Sequence, residues 1–284
     1  MIKLGFHLSI AGAVANAPSE AARMNYGAFQ IFTTSARSWK NSVLDSKDVG
    51  NFREKVKTNG LDSFAHIPYL CNPASSDPLV YEKSKQMLVD NIKNCDALGI
   101  DYLVIHLGSH LGKGVDVGIE NICNAVSFGL DSTQKVNILL ENGSGYKNCV
   151  GSKFSELGRI IDGIDSARAG VCFDTCHAFA AGYDLRDPDA VKKTMEEFTS
   201  HVDISKLKLV HLNDAKYPLG SGLDRHFHIG KGNIGRKGFT ALFQNDAFRN
   251  GSFIMELPED SEGLHLDDMN AARSIMIEAT EETD

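Results

Sequence analysis

The chain has 284 residues, of which 42% are hydrophobic and 23% are charged, a composition that excludes a disordered chain and provides a large buried core. No apolar run approaches the roughly 18 residues of a membrane span, so we expect no membrane-spanning helix. Acidic residues outnumber basic ones by 37 to 29, and the resulting net charge of -8 argues against a nucleic-acid partner, because phosphate binding usually leaves a basic footprint.

Eight short apolar, β-branched runs recur along the chain and are predicted to be strands. They begin 25 to 44 residues apart, which is the spacing of β-loop-α units and not of hairpins, where turns come about every 8–12 residues. The runs are Lys3–Ser9, Ala28–Thr34, Ser63–Leu70, Asp101–Gly108, Asn137–Gly143, Ala169–Thr175, Lys208–Asp214 and Ser252–Pro258.

Segments with helical periodicity fit between these runs. The clearest is Val80–Leu98, which is followed by Gly99 as a C-terminal cap. The others are Ile119–Leu130, Lys153–Ile161, Pro188–His201 and Arg236–Asp246. Eight β-α units without a Pro- or Ser-rich linker predict an α/β fold, a single (β/α)8 TIM-barrel domain over residues 1–284. An open doubly wound sheet is the alternative.

Function in such barrels lies at the C-terminal ends of the strands. Six of the last seven predicted strands bring a His, Asp or Glu to that end, whereas charged residues are seldom buried unless they are paired or bind a metal. After the seventh strand, Asp224 and His226 alternate in an extended segment and therefore share a face. The candidate metal ligands are His66, His106, Glu141, Asp174, His177, His211, Asp224, His226 and Glu256.

Imidazole and carboxylate ligands without thiolate suit zinc, manganese or iron. A catalytic zinc takes about three protein ligands, so nine candidates indicate about three metal ions at the C-terminal face of the strands. Such clusters favour phosphoryl chemistry, because paired ions about 3.5–4 Å apart stabilise both the attacking and the leaving oxygen.

In this order, the residues resemble the endonuclease IV family of apurinic/apyrimidinic (AP) endonucleases. The resemblance spans nearly the whole chain and is most specific over 171–184 and 211–216. The matching segments are Gly5-Phe-His-Leu-Ser9 with Ala11-Gly12, His66-x-Pro-Tyr69-Leu70, His106-Leu-Gly-Ser-His110, Glu141-Asn142, Val171 to Asp184, His211-Leu-Asn-Asp-Ala-Lys216, Asp224-Arg-His226 and Gly230-Lys-Gly-Asn-Ile-Gly235.

The resemblance implies a zinc-dependent DNA-repair enzyme on a barrel with three Zn²⁺ ions, with Mn²⁺ as an option at one site. It implies hydrolysis of the phosphodiester 5′ to an abasic site in duplex DNA, which leaves a 3′-hydroxyl and a 5′-deoxyribose phosphate. Glu141 and Glu256 would be catalytic. The implied ligand sets are His66, His106 and Glu141; Glu141, Asp174, His211 and Glu256; and His177, Asp224 and His226. His228 is not a ligand position of the family.

By the same resemblance, Arg37, Tyr69 and Leu70 would contact DNA and hold the abasic nucleotide out of the stack from the minor groove. Unstacking costs a few kcal/mol, and least where a base is already missing. Without the resemblance, Tyr69 and Leu70 would be interpreted as core residues. Around Arg37 the chain lacks the Asn and Gln that the family often has, and Leu257 replaces the usual Thr after Glu256.

Two segments imitate other sites. Gly230-Lys-Gly232-Asn-Ile-Gly235 matches a dinucleotide-binding pattern, but no strand immediately precedes it, so we expect its glycines to allow close approach of the backbone to the metal site or a phosphate. Cys172 and Cys176 flank Asp174, and strand alternation turns all three to one face. We expect the thiols to be structural, because the imidazole and carboxylate set is already complete.

Two other functions remain open from the residues. A metal-dependent sugar isomerase or epimerase uses a related barrel, yet it needs only one or two metals and has no use for the Asp224/His226 pair. A non-catalytic DNA-damage binder would be expected to have lost ligands, and none is lost.

The dispersed cysteines indicate reduced thiols and a cytoplasmic, intracellular protein, and a monomer is the default expectation.

The ligand set changes the meaning of the net charge. Three divalent cations would bring the charge of -8 to about -2, and four ligand carboxylates against three cations would leave about +2 at the site itself. The face that meets DNA would therefore be positive when the metals are bound.

Overall fold

The computed structural model describes residues 2–35, 38–39, 41, 43–257 and 266–281. Within them, eight parallel strands close into a barrel in the order β1-β2-β3-β4-β5-β6-β7-β10, and the antiparallel strands β8 and β9 form a separate ribbon. The strands are β1 (Ile2–His7), β2 (Ala28–Phe32), β3 (Asp62–His66), β4 (Tyr102–His106), β5 (Asn137–Glu141), β6 (Ala169–Asp174), β7 (Leu207–His211), β8 (Asp214–Ala215), β9 (His226–Phe227) and β10 (Gly251–Met255). The predicted barrel is confirmed.

Helices connect the strands on the outside. They are α1 (Asn16–Arg23), α2 (Ser46–Asn59), α3 (Pro78–Leu98), α4 (Val115–Leu130), α5 (Phe154–Ile164), α6 (Thr175–Ala181), α7 (Pro188–His201), α8 (Gly235–Gln244) and α9 (Leu266–Glu281). No helix in the described ranges is both long and apolar enough to cross a membrane.

Local capping sets the bounds of α3. The Asp77 carboxylate accepts hydrogen bonds from the amides of Leu79 and Val80, and Pro78 occupies the first turn, so the helix begins two residues before the predicted start. Gly99 ends it with a φ of 72°, a left-handed conformation that glycine adopts without a steric cost. The predicted cap at Gly99 is confirmed.

Each barrel strand ends one to four residues before the predicted end. The third run was predicted to reach Leu70, whereas β3 ends at His66 and is followed by a loop that contains Pro68. Proline has no N–H group to extend the ladder. The residues beyond the strands therefore belong to the loops that build the site.

Strand alternation divides the buried residues into two sets. One set packs against the helices, and the other forms a separate cluster inside the barrel. The inner cluster contains Ala28, Phe64, Val104, Leu139, Cys172, Leu209 and Ile254. Two positions further along the same strands stand Gln30, His66, His106, Glu141, Asp174, His211 and Glu256. An apolar layer thus supports a polar layer at the C-terminal end.

We predict that Gly5→Ala destabilises the protein by about 3 kcal/mol, because a Cβ at this buried position would lie 1.7 Å from the carbonyl oxygen of Ala28 on the neighbouring strand. Urea unfolding measures the effect. Gly50→Ala in α2 is the control: its Cβ meets nothing within 4 Å, so the better helix former should stabilise by about 0.5–1 kcal/mol. Equal stability of the Gly5 variant and the native chain would contradict the strand packing.

Candidate metal centre

The carboxylate of Glu141, at the end of β5, is surrounded by histidines. Its Oε2 atom lies 3.1 Å from His66 Nε2 and 3.0 Å from His106 Nδ1. Its Oε1 atom lies 3.0 Å from His211 Nδ1 and 3.3 Å from His177 Nδ1. One buried carboxylate therefore contacts four imidazoles that come from four different strand ends.

The candidate ligands fall into groups whose ligand atoms lie within 4.8 Å of one another. Glu141 belongs to two of these groups and links them. The first group is His66, His106 and Glu141, and the second is Glu141, Asp174, His211 and Glu256. Each contains imidazole nitrogens and carboxylate oxygens, which is the donor chemistry of a zinc or manganese site.

The remaining candidates lie beside the β8–β9 ribbon. Asp174, His177 and His226 form a third group within the same 4.8 Å limit. The Asp224 carboxylate lies between the two imidazoles, with Oδ2 3.1 Å from His177 Nε2 and Oδ1 3.4 Å from His226 Nε2. The structure thus brings all nine predicted residues to one end of the barrel.

Four of the histidines have one ring nitrogen fixed by a carbonyl oxygen, which leaves the other nitrogen facing the cluster. This arrangement is typical of metal-binding histidines, because the outer hydrogen bond sets the tautomer and the orientation of the ring. The pairs are His66 Nδ1 with Ile67 O at 2.7 Å, His177 Nδ1 with Asn142 O at 3.0 Å, His226 Nδ1 with Glu256 O at 2.7 Å, and His211 Nε2 with Gln30 Oε1 at 2.9 Å.

Two asparagines hold the carboxylate ligands in place. Asn142 exchanges two hydrogen bonds with the backbone of Asp174, at 2.7 and 3.0 Å. Asn213 donates to Asp174 Oδ2 at 2.7 Å and accepts from the Glu256 amide at 2.8 Å. Both residues stand within the motifs that resemble the family, without a predicted role. Their position directly beside predicted ligands is the signal that could have identified them.

Gln30 is a third polar residue without a predicted role. It is fully buried in β2, the one strand among the last seven for which no candidate ligand was identified. Its signal in the sequence is a polar residue at an inward position of the apolar run Ala28–Phe32. Its contacts reach His211 and Glu256.

The negative carboxylates and the positive imidazoles of the cluster stabilise one another's charged forms. Burial acts to raise the pKa of Glu141, but the charges of His106 and His211 outweigh it and hold that pKa well below its ordinary value. Burial acts to lower the pKa of His177, but Asp174 and Asp224 raise it well above the ordinary value. Protons and cations therefore compete for the same nitrogens, and metal affinity should fall as the pH falls.

His177 provides a direct test of whether the residues fit a cation. Its Nε2 atom is buried and makes no well-aligned hydrogen bond to any described residue, although Asp224 Oδ2 lies 3.1 Å away. Buried polar nitrogens normally have aligned partners. A nitrogen and a carboxylate oxygen that lie close together without such alignment fit a cation that both could bind.

The glycine-rich segment Gly230–Gly235 encloses a carboxylate of the protein itself. The amides of Gly232 and Ile234 donate to Asp214 at 2.9 and 3.0 Å. A Cβ on Gly232 would lie 2.5 Å from Asp214 Oδ1, which explains the glycine. The glycine thus lets the backbone approach the Asp214 carboxylate, and the expected approach to a metal site or a phosphate stays a prediction.

His228 points away from the cluster. Its Nδ1 atom donates to Asp268 Oδ2 at 2.8 Å, and the amide of Ile229 donates to Asp268 Oδ1 at 2.8 Å. Asp268 is buried in the first turn of α9. These two bonds attach the segment that carries His226 to the last helix.

The thiols have different surroundings. All six cysteines are free. Burial raises the pKa of Cys172 to about 12, so it remains a neutral thiol below the cluster. Cys176 lies within 4.8 Å of the ligand atoms of Asp224 and His226, but burial and neighbouring carboxylates raise its pKa as well. In the metal-free chain both thiols are therefore neutral.

Tyr69 and Leu70 lie at the rim of the cluster, where Tyr69 stacks on His106 with ring centres 5.8 Å apart. They are 67% and 36% exposed, so neither is a core residue. A cavity of about 270 Å³ opens between Tyr69, Tyr146 and the candidate ligands His106, Glu141, His177 and Asp224. Arg37 lies outside the described residues.

Comparison with known proteins places this geometry in a family. A family model described as xylose isomerase-like TIM barrel matches residues 18–277. A protein of Methanoculleus marisnigri named probable endonuclease 4 is 46% identical over 264 residues, which cover 92% of this chain and 94% of the relative. The chain belongs to the endonuclease IV family. The family and the enzyme class predicted from the sequence are confirmed.

Solved structures agree with this assignment. Endonuclease IV from Thermus thermophilus superposes with a TM-score of 0.87 at 32% identity, over 97% of this chain and 99% of that one. A D-tagatose 3-epimerase-like protein superposes with a TM-score of 0.76 at 19% identity, over 99% and 100% of the two chains. The second likeness shows a shared barrel fold and carries no information about the reaction.

We predict that Asp268→Ala destabilises the protein by about 2 kcal/mol, because it leaves the N–H groups of His228 and Ile229 without their partner. Urea unfolding measures the loss. The neighbouring Asp267 is exposed on the same turn, and Asp267→Ala should cost at most about 1 kcal/mol, through the helix dipole. Equal losses in the two variants would show that the bonds to the loop contribute nothing.

Proposed function

We propose that this endonuclease IV family member hydrolyses the phosphodiester 5′ to abasic sites in duplex DNA, as a repair endonuclease that leaves a 3′-hydroxyl and a 5′-deoxyribose phosphate. The observation that carries the proposal is the cluster around Glu141, in which four histidines are oriented by carbonyl oxygens toward shared carboxylates. The names of its relative from Methanoculleus marisnigri and of the Thermus structure support the same activity.

The residues fit three divalent cations, and we propose zinc, with manganese as an option at one site. Bound cations of this kind supply a hydroxide nucleophile near neutral pH and stabilise charge on the phosphate oxygens. The proposed ligand sets are His66, His106 and Glu141; Glu141, Asp174, His211 and Glu256; and His177, Asp224 and His226.

Glu141 and Glu256 hold the centre together. Glu141 belongs to two ligand groups, so its carboxylate fixes their relative positions. Glu256 is held at its amide by Asn213 and at Oε1 by Gln30, which directs Oε2 toward His211 Nδ1 at 3.2 Å. Preorganised carboxylates need little rearrangement when the substrate binds, which is the main protein contribution to this kind of catalysis.

The exposed rim supplies the contacts to DNA. Tyr69 and Leu70 project beside the cluster, and apolar side chains in this position can insert at a step where a base is missing. Arg37 completes this proposed set by family resemblance. A repair enzyme must reach the DNA inside the cell, which agrees with the intracellular location expected from the sequence. The monomeric state expected from the sequence remains part of the proposal.

A duplex that carries one tetrahydrofuran abasic analogue tests the proposal. The purified protein with Zn²⁺ should cut once, on the 5′ side of the analogue. Glu141→Gln and Glu256→Gln should lower the rate at least about 100-fold while binding to the duplex is retained, because each removes charge from the cluster without changing its shape. Glu196→Gln, on the exposed face of α7, is the control and should cut at the native rate.

Two results would contradict the proposal. One is binding to the duplex without incision at any divalent metal. The other is unchanged turnover in both cluster variants. Epimerisation of a ketohexose by the same preparation would instead favour the sugar epimerase that the sequence left open.

A further inference from the structure

Gln30 occupies a position that links two candidate ligands of the second group. It lies in β2 in register with His7 of β1 and faces the barrel interior. Its side chain is fully buried, so its amide must find partners inside the protein. The amide oxygen is bonded to His211, and the amide nitrogen is bonded to Glu256.

The oxygen fixes His211. His211 Nε2 donates to Gln30 Oε1 at 2.9 Å, so the proton of the neutral ring is on Nε2. Nδ1 faces Glu141 Oε1 at 3.0 Å and Glu256 Oε2 at 3.2 Å, and in the neutral ring it is the nitrogen left free for a metal. Loss of the acceptor would remove this constraint on the tautomer and the ring angle of His211.

The nitrogen fixes Glu256. Gln30 Nε2 donates to Glu256 Oε1 at 2.7 Å and to His7 Nδ1 at 3.0 Å. His7 itself lies 3.4 Å from Glu256 Oε1. Glu256 Oε1 thus contacts Gln30 and His7, whereas Oε2 is directed at His211.

We infer that Gln30 is a positioning residue of the metal centre, which orients His211 and Glu256 at once so that both present a free ligand atom to the same ion. The inference rests on the metal centre of the proposed function. A primary amide suits this position because it carries an acceptor and a donor on one rigid plane. Methionine has the same length and neither group, and glutamate has no donor when ionised.

The test uses the full-length protein loaded with Zn²⁺ and compares it with Gln30→Met. A chelator titration with a zinc indicator measures how tightly each ion is retained. The variant should release one ion about 10- to 100-fold more readily than the native chain, the loss expected when a partner of a metal ligand is removed. Thr194→Val is the matched control, since it removes a buried hydrogen bond to the Asp184 carbonyl on the outside of the barrel. It should retain zinc as the native chain does.

A second measurement needs no variant. Long-range ¹H–¹⁵N spectra of the zinc-loaded native protein should show His211 protonated at Nε2, and a proton on Nδ1 would overturn the inference. Native-like zinc retention by Gln30→Met, or an equal loss in Thr194→Val, would also overturn it. A native chain that binds no zinc would overturn both this inference and the proposed function, whereas native zinc binding with an unaffected Gln30 variant would overturn the inference alone.

Discussion

Buried carboxylates crowd together at the C-terminal end of the barrel, where they would repel one another. Glu141 and Asp174 have no exposed side-chain surface, and His211 Nδ1 contacts both of them and Glu256. Carboxylates so close together remain ionised only if positive charge is placed between them. Imidazolium ions can supply that charge in the metal-free chain, and divalent cations can supply it when they are bound. The asparagine, glutamine and carbonyl contacts around the cluster keep the ligands from separating.

The barrel makes this arrangement possible. Parallel strands bring their C-terminal ends to one face, and alternation places every second side chain inside. The inner apolar cluster, which includes Ala28 and Ile254, fills the barrel directly below the polar layer. The carboxylates therefore have no space in the barrel interior into which they could move apart. The net charge of -8 describes the chain without cations and gives little information about the face that would meet a phosphate.

Residues whose chemistry is rare in a strand could be predicted from the sequence to meet at one end of the barrel. A histidine or a carboxylate at the end of an apolar run has few structural explanations, so the nine candidate ligands could be named before the fold was known. Gln30 could not be identified in this way, because its partner His211 is 181 residues away and an amide has no single characteristic role. The same limit applies to Asp268, whose contacts to His228 and Ile229 depend on how α9 packs.

We propose that the end of the barrel holds three metal ions on these side chains. The most direct measurement is an anomalous difference map at the zinc edge from crystals of the zinc-loaded protein. We expect three peaks, one beside each ligand group, at about 2.0–2.2 Å from the imidazole nitrogens and carboxylate oxygens. No peak at the cluster, or a single peak with the Asp224 and His226 side chains uninvolved, would contradict it.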